Sequence, residues 1–190
     1  MSPRRSQVKK SHSKQMIYIV EGIDKSGKST VILDLVSALP GVPVVFKLKN
    51  KPTSGSTDER RKVALAYDEL FEQAKKNHIN TPIIFDRAYP SELVYSQINR
   101  GYDAFYEVDW WRLDEELKEI ARFIYCSAPN DVLLERFKQH NETDLTENQF
   151  GQVLARYDMF LEKTNLKVLR LDTTMSREEN LERIKEFVNQ

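Results

Sequence analysis

Cysteine is almost absent. Cys126 is the only one in 190 residues, which excludes an internal disulfide and any scaffold stapled by cross-links. The plain reading is a reduced, cytoplasmic setting, with Cys126 as a small buried thiol inside an apolar run. Histidine is scarce too, and His12, His78 and His140 show no metal-ligand spacing. No apolar run approaches the roughly 20 residues that cross a bilayer. The N-terminus lacks the apolar centre of a signal peptide, so no membrane partner is expected. Net charge is zero, but it is unevenly spread. Arg4, Arg5, Lys9, Lys10 and Lys14 stand in the first fifteen residues with no acid among them, leaving the other 175 with a balance of minus five. Residues 1–14 read as a basic, disordered arm, either a solvated tail or a sequence-independent contact to a nucleic-acid backbone.

Glycine is also sparse, six in all, so two of them within Gly22-Ile23-Asp24-Lys25-Ser26-Gly27-Lys28-Ser29 call for a local reason. The stretch fits the phosphate-binding pattern G-x-x-x-x-G-K-[ST] at every fixed position. Its context fits as well. Met16 to Val20 is an apolar run of strand length, and Ser29 to Leu39 places apolar residues on one side of a helix. Glycines let successive N–H groups point into one hollow, and the following helix adds the positive end of its dipole. Gly22, Lys25, Ser26, Gly27, Lys28, Ser29 and Thr30 are therefore the expected nucleotide-binding residues. Lys28 would reach the β- and γ-phosphates, and the Ser29 hydroxyl would ligate Mg²⁺; Thr30 packs or caps. The bland alternative is a glycine turn that binds nothing.

Taken in order, strand-like and helix-like segments alternate. Strands are expected at about 15–21, 42–48, 82–85, 121–127 and 167–171. Helices are expected at about 28–39, 58–77, 90–99, 108–119, 129–139, 147–163 and 177–188. Five short apolar strands alternating with helices predict an α/β fold: a five-stranded parallel sheet with helices on both faces. Residues 15–190 read as one domain. Ligands of such sheets bind beyond the carboxyl ends of the strands. The phosphate loop, the polar loop Lys49–Thr57 and Asp86-Arg87 should therefore converge on one crevice. There Asp86 would hold a Mg²⁺-bound water or orient an attacking oxygen, and Arg87 would bracket phosphate oxygens. Tyr89, Tyr95 and Phe71 stand where they could touch a base, though helix packing explains them nearly as well. Trp110-Trp111 reads as packing.

Glu21-Gly22-Ile23-Asp24-Lys25-Ser26-Gly27-Lys28-Ser29-Thr30 resembles the opening of thymidylate kinases, and Phe85-Asp86-Arg87 with Ser91, Leu93 and Tyr95 resembles a second segment of them. Ala128-Pro129 and Leu133 to Phe137 resemble the exit of their fourth strand and the helix leading to their lid. The resemblance implies a P-loop nucleoside monophosphate kinase-like fold with a short lid near 137–146. It implies that Asp24 contacts the acceptor, that Arg136 lies near the adenine, and that Lys47 and Lys51 bind the acceptor. Departures fall on the acceptor side: Lys47 to Gly55 replaces an arginine-containing segment, Ala88 stands where a tyrosine is usual, and the lid has no arginine. Arginine and lysine are not interchangeable at a bidentate phosphate contact.

Those departures resemble bacteriophage-encoded members, one branch of which phosphorylates 5-hydroxymethyluracil within DNA. The leading expectation is transfer of the ATP γ-phosphate, with Mg²⁺, to a dTMP-like pyrimidine deoxynucleotide. The alternative acceptor is a hydroxymethyl group in DNA, held through the basic arm, Lys47, Lys49, Lys51 and Arg60 to Lys62. A monophosphate needs cationic clamps and no base. A hydroxymethyl acceptor needs a carboxylate such as Asp24 or Asp86 to take its proton. A third reading is a nucleotide-bound switch without transfer. A homodimer is compatible with the sequence.

Overall fold

The computed structural model describes residues 16–47, 55–107, 109–139 and 145–190. Strands β1 (Ile17–Glu21), β2 (Val44–Lys47), β3 (Ile83–Asp86), β4 (Ala121–Ser127) and β5 (Lys167–Asp172) form one sheet. Every pairing is parallel, in the order β2-β3-β1-β4-β5. Helix α1 (Lys28–Ala38) follows β1, and α2 (Thr57–Asn77) follows β2. Then come α3 (Tyr89–Arg100), α4 (Ala104–Glu107) and α5 (Trp110–Leu117) between β3 and β4. Helices α6 (Asn130–Gln139) and α7 (Glu147–Lys163) precede β5, and α8 (Arg177–Val188) follows it. The predicted fold class is the observed one.

Both faces of the sheet are covered, and this is why its central strands read as unbroken apolar runs. Ile17 and Ile19 of β1 face one core with Phe85, Phe123, Leu93 of α3 and Phe160 of α7. Tyr18 and Val20, pointing the other way, meet Val31 and Leu35 of α1 and Ile184 and Phe187 of α8. Each fully buried aliphatic or Phe side chain contributes about 1.5–3 kcal/mol relative to exposure, so the two layers hold the sheet from both sides.

Side-chain oxygens set most helix starts. Ser56 caps α2, Thr146 and Gln149 form a capping box on α7, and Ser176 and Glu179 form one on α8. Buried polar ties fix α3 and α7 relative to their neighbours. Arg156 of α7 donates to the Leu93 carbonyl, Gln97 and Asp103. Asp114 of α5 accepts from Tyr89, Thr164 and the Asn165 amide.

Two elements differ from expectation. Strand β2 starts at Val44 rather than Val42, because Pro43 has no N–H to pair and the strand lies at a sheet edge. The loop after α3 contains the short helix α4, and the next helix begins at Trp110, capped by Asp109. The basic arm, Lys49, Lys51 and the centre of the expected lid lie outside the described residues. No helix among the described residues is long and apolar enough to cross a membrane.

Candidate active site

The turn from β1 into α1 can be built only from glycine at its first position. Gly22 takes φ +148, and a Cβ there would stand 2.3 Å from the Cys126 carbonyl oxygen and 2.5 Å from Ser26 Oγ. Gly27 takes φ +86 as the cap residue of α1, with Thr173 against it. A glycine cap supplies no side-chain oxygen, and the first turn of α1 holds no acid. The positive end of the helix is therefore left unneutralised, as an anion site requires. Ser26 Oγ is buried beneath the loop with no hydrogen-bond partner, while Ser29 and Thr30 are exposed on the first turn. The loop thus fits a phosphate group: open amide end, close backbone and an unsatisfied hydroxyl.

Lys28 points back into this hollow. Its Nζ donates to the carbonyls of Gly22 at 3.0 Å and Ile23 at 2.9 Å. Burial, and next the charge of Arg87, lower its pKa to about 8, against the opposing pull of Asp24 and Glu21.

Arg87 stands at the tip of β3 with φ +71, a left-handed conformation that L-residues adopt only under constraint. The constraint is visible. Its amide bonds to Val20 O at 3.1 Å. Its guanidinium reaches Asp24 Oδ1 at 2.5 Å, Ser91 Oγ at 3.1 Å and Tyr157 Oη at 3.2 Å, with Glu21 Oε2 at 3.6 Å. Its Cζ lies over the Tyr95 ring, 5.4 Å from the centroid. Burial alone would raise the Asp24 pKa, but Arg87, Lys28 and Lys25 outweigh it and hold the carboxyl below its usual range.

Glu21 is the concealed part of the site. It is fully buried, and Ala88, which caps α3, has no side-chain oxygen to offer. Glu21 Oε1 caps that helix from β1 instead, accepting from the amides of Ala88 at 2.9 Å and Ser91 at 3.1 Å. Its Oε2 accepts from Ser91 Oγ at 2.8 Å and Tyr157 Oη at 2.9 Å. Sequence reading quoted Glu21 and Ser91 only as motif letters and missed Tyr157. A charged residue closing a buried apolar strand was the available signal for Glu21. Nothing local marks Tyr157.

Asp86 lies at the carboxyl end of β3, paired in register with Lys47, whose Nζ is 3.2 Å from Asp86 Oδ2. Arg136 of α6 donates to Thr173 Oγ1 at 3.0 Å, and Thr173 in turn packs on Gly27, so Arg136 flanks the phosphate loop on the β5 side. Tyr95 is half-buried at the crevice beside Arg87. Tyr89 is a correction. It is fully buried, its hydroxyl bonded to Asp114 and its ring between Trp110 and Phe71. Helix α3 turns it inward, so it packs rather than facing a base, and Phe71 is likewise core. Arg60 turns onto the Tyr102 ring, 4.3 Å from its centroid, and bonds the Gly55 carbonyl. Cys126 is buried, its pKa pushed up to about 12 by desolvation, as an inert thiol should be. Among the described residues no three His, Cys, Asp or Glu gather as a metal cage. Mg²⁺ of a nucleotide site needs only one or two protein oxygens beside phosphate and water; of the two residues expected to ligate it, Ser29 is exposed on the first turn of α1 and Asp86 ends β3 against Lys47.

No protein-family model matches the chain. The SPbeta prophage-derived uncharacterized protein YorR of Bacillus subtilis (strain 168) is 25% identical over 157 residues, spanning 83% of this chain and 88% of its own. The crystal structure of YorR in complex with phosphorylated GDP matches with a TM-score of 0.71 at 20% identity, over 92% of this chain and 96% of that one. Deoxyadenosine kinase from M. mycoides with bound dCTP matches with a TM-score of 0.57 at 16% identity, over 92% and 99% of the two chains. An unliganded sugar kinase from Janibacter sp. gives 0.56 at 15% identity, over 92% and 95%. The chain shares the fold of these proteins.

Proposed function

We propose that this protein is a P-loop phosphotransferase that moves the γ-phosphate of ATP to a pyrimidine deoxynucleotide of the dTMP kind. The observation that carries the reading is the Arg87–Asp24 pair set against a complete phosphate loop. A pure binding loop has no use for a constrained arginine at its mouth, whereas transfer needs a cation where charge develops. The kinase names among the fold relatives agree with transfer, and the nucleotides in their crystals agree with a nucleotide acceptor. Residues 15–190 act as one domain in this reading.

In the reaction the loop amides, Ser26 and Lys28 hold the β- and γ-phosphates. Ser29 and Asp86 hold Mg²⁺, which when bound neutralises phosphate charge. Arg136 flanks the adenine side. The acceptor enters from the side of Asp24, Lys47 and Tyr95, Lys51 keeps the acceptor-binding role that the resemblance implies, and Arg87 turns part of its fork from Asp24 toward the transferring phosphoryl group. An acceptor phosphate arrives already ionised, so no base is required; catalysis is positioning and charge neutralisation. If the acceptor is instead a hydroxymethyl group on DNA, Asp24 takes the proton, since its side chain is half-exposed whereas that of Asp86 is nearly covered.

The test is label transfer from γ-labelled ATP with Mg²⁺ to dTMP, dUMP, 5-hydroxymethyl-dUMP, deoxyadenosine, and duplex DNA with and without 5-hydroxymethyluracil. Label on free pyrimidine monophosphates supports the proposal. Label confined to modified DNA or to deoxyadenosine replaces the acceptor and keeps the transfer chemistry.

A further inference from the structure

Tyr157 is 136 residues from Glu21 in the chain and 135 from Gly22, yet its hydroxyl is where α7 meets the phosphate loop. The oxygen stands 2.9 Å from Glu21 Oε2, 3.3 Å from the Gly22 carbonyl and 3.2 Å from Arg87 Nη1. A guanidinium only donates, so the phenol accepts from Arg87 and has one proton to give, to Glu21 or to Gly22. Burial, with the charge of Glu21 second, raises the Tyr157 pKa well above its ordinary value, so that proton is retained.

The Gly22 carbonyl already has a donor, Lys28 Nζ at 3.0 Å. The same ammonium is the group a triphosphate must recruit. Drawing Lys28 onto phosphate strips Gly22 of its donor, and a buried carbonyl left bare opposes binding. Tyr157 is within reach to replace it. Glu21 can release the phenol, because its oxygens keep the Ala88 amide and both donors of Ser91.

We propose that Tyr157 is a positioning residue of the phosphate loop, whose O–H turns its hydrogen bond from Glu21 to the Gly22 carbonyl as Lys28 turns to a triphosphate, while its oxygen keeps Arg87 oriented. The inference rests on the nucleotide site proposed above and adds a residue that touches no substrate.

The experiment compares wild type with Tyr157→Phe, which keeps the ring packed on Tyr125 and Tyr95. Affinity for Mg-ATP, by calorimetry without acceptor, is expected to fall about 3- to 10-fold, the loss of one hydrogen bond. Affinity for AMP, measured by competition with a fluorescent ATP analogue, is expected to hold, because AMP leaves Lys28 on the loop carbonyls. Equal Mg-ATP affinity in the two proteins, or an equal loss for ATP and AMP, overturns the inference. If the variant does not fold, 3-fluorotyrosine at position 157 supplies the readout. Its fluorine resonance should move on adding Mg-ATP and not on adding AMP, and no ATP-specific shift overturns the inference. Absence of Mg-ATP binding by wild type overturns the proposed function and this inference together, a result distinct from unchanged affinity in the variant.

Discussion

Arg87 Nη2 lies 2.5 Å from Asp24 Oδ1, so one ion pair joins the tip of β3 to the phosphate loop. Its two members belong to the two segments on which the proposed reaction draws. Arg87 has further acceptors in Ser91, Tyr157 and Glu21. It can therefore lend part of its fork to a phosphoryl group without losing its place.

Replacing the fork by a point charge should expose this. Arg87→Lys keeps the charge and loses the bidentate reach; the transfer rate should fall about 10²-fold, with Mg-ATP affinity within about 3-fold of wild type. Steady-state kinetics beside equilibrium binding checks the split. An equal fall in both would make Arg87 a structural residue.

Lys28 should give the protein a pH signature. Its folded pKa of about 8 is below its ordinary 10.5. Between those values the folded chain binds fewer protons than the unfolded chain, so this group makes stability rise with pH across that window. Denaturant titrations of wild type against Lys28→Met should show the rise in the first and its loss in the second. Nucleotide affinity runs the other way, falling above about pH 8 as the free protein loses the ammonium that meets phosphate.

Glu21 tests what holds the site together. Glu21→Ala removes the acceptor of the Ala88 amide, of Ser91 Oγ and of the Tyr157 hydroxyl, and takes a buried carboxylate from beside Arg87; it should cost about 3 kcal/mol of stability. Glu21→Gln keeps one acceptor oxygen and should cost less. Chemical denaturation of both variants gives the comparison.

Tyr89→Phe checks the reassignment of that residue to the core. It should lose about 1 kcal/mol with the Asp114 hydrogen bond and leave the acceptor KM unchanged. A raised acceptor KM without loss of stability would return Tyr89 to the crevice.

The fold was legible because the five strands and the longer helices announced themselves locally, α4 being the exception. β4, α7 and α8 have the boundaries that periodicity and turn residues predict, and the glycine pattern located the phosphate loop. What the sequence hid is what forms between segments far apart in the chain. Glu21 caps α3 across 67 residues, a role no spacing rule reports, and Ala88 at the cap position looked like a departure when its partner was elsewhere. Tyr89 was misplaced for the same reason. Its neighbours in sequence are candidate site residues, but the inward turn of α3 gives it Asp114 as a partner. Asp86 and Lys47 were each noticed, while their meeting required the parallel register of β2 and β3.

Phosphoryl transfer itself is the claim on which the rest depends. Wild type, Lys28→Met and Arg87→Ala should be incubated with γ-labelled ATP, Mg²⁺ and dTMP, and labelled product separated from ATP. The account predicts label on the nucleotide with wild type and at least about 10²-fold less with either variant. Wild-type protein that binds Mg-ATP yet labels neither dTMP nor any other acceptor would contradict it, and would leave a nucleotide-bound switch in place of an enzyme.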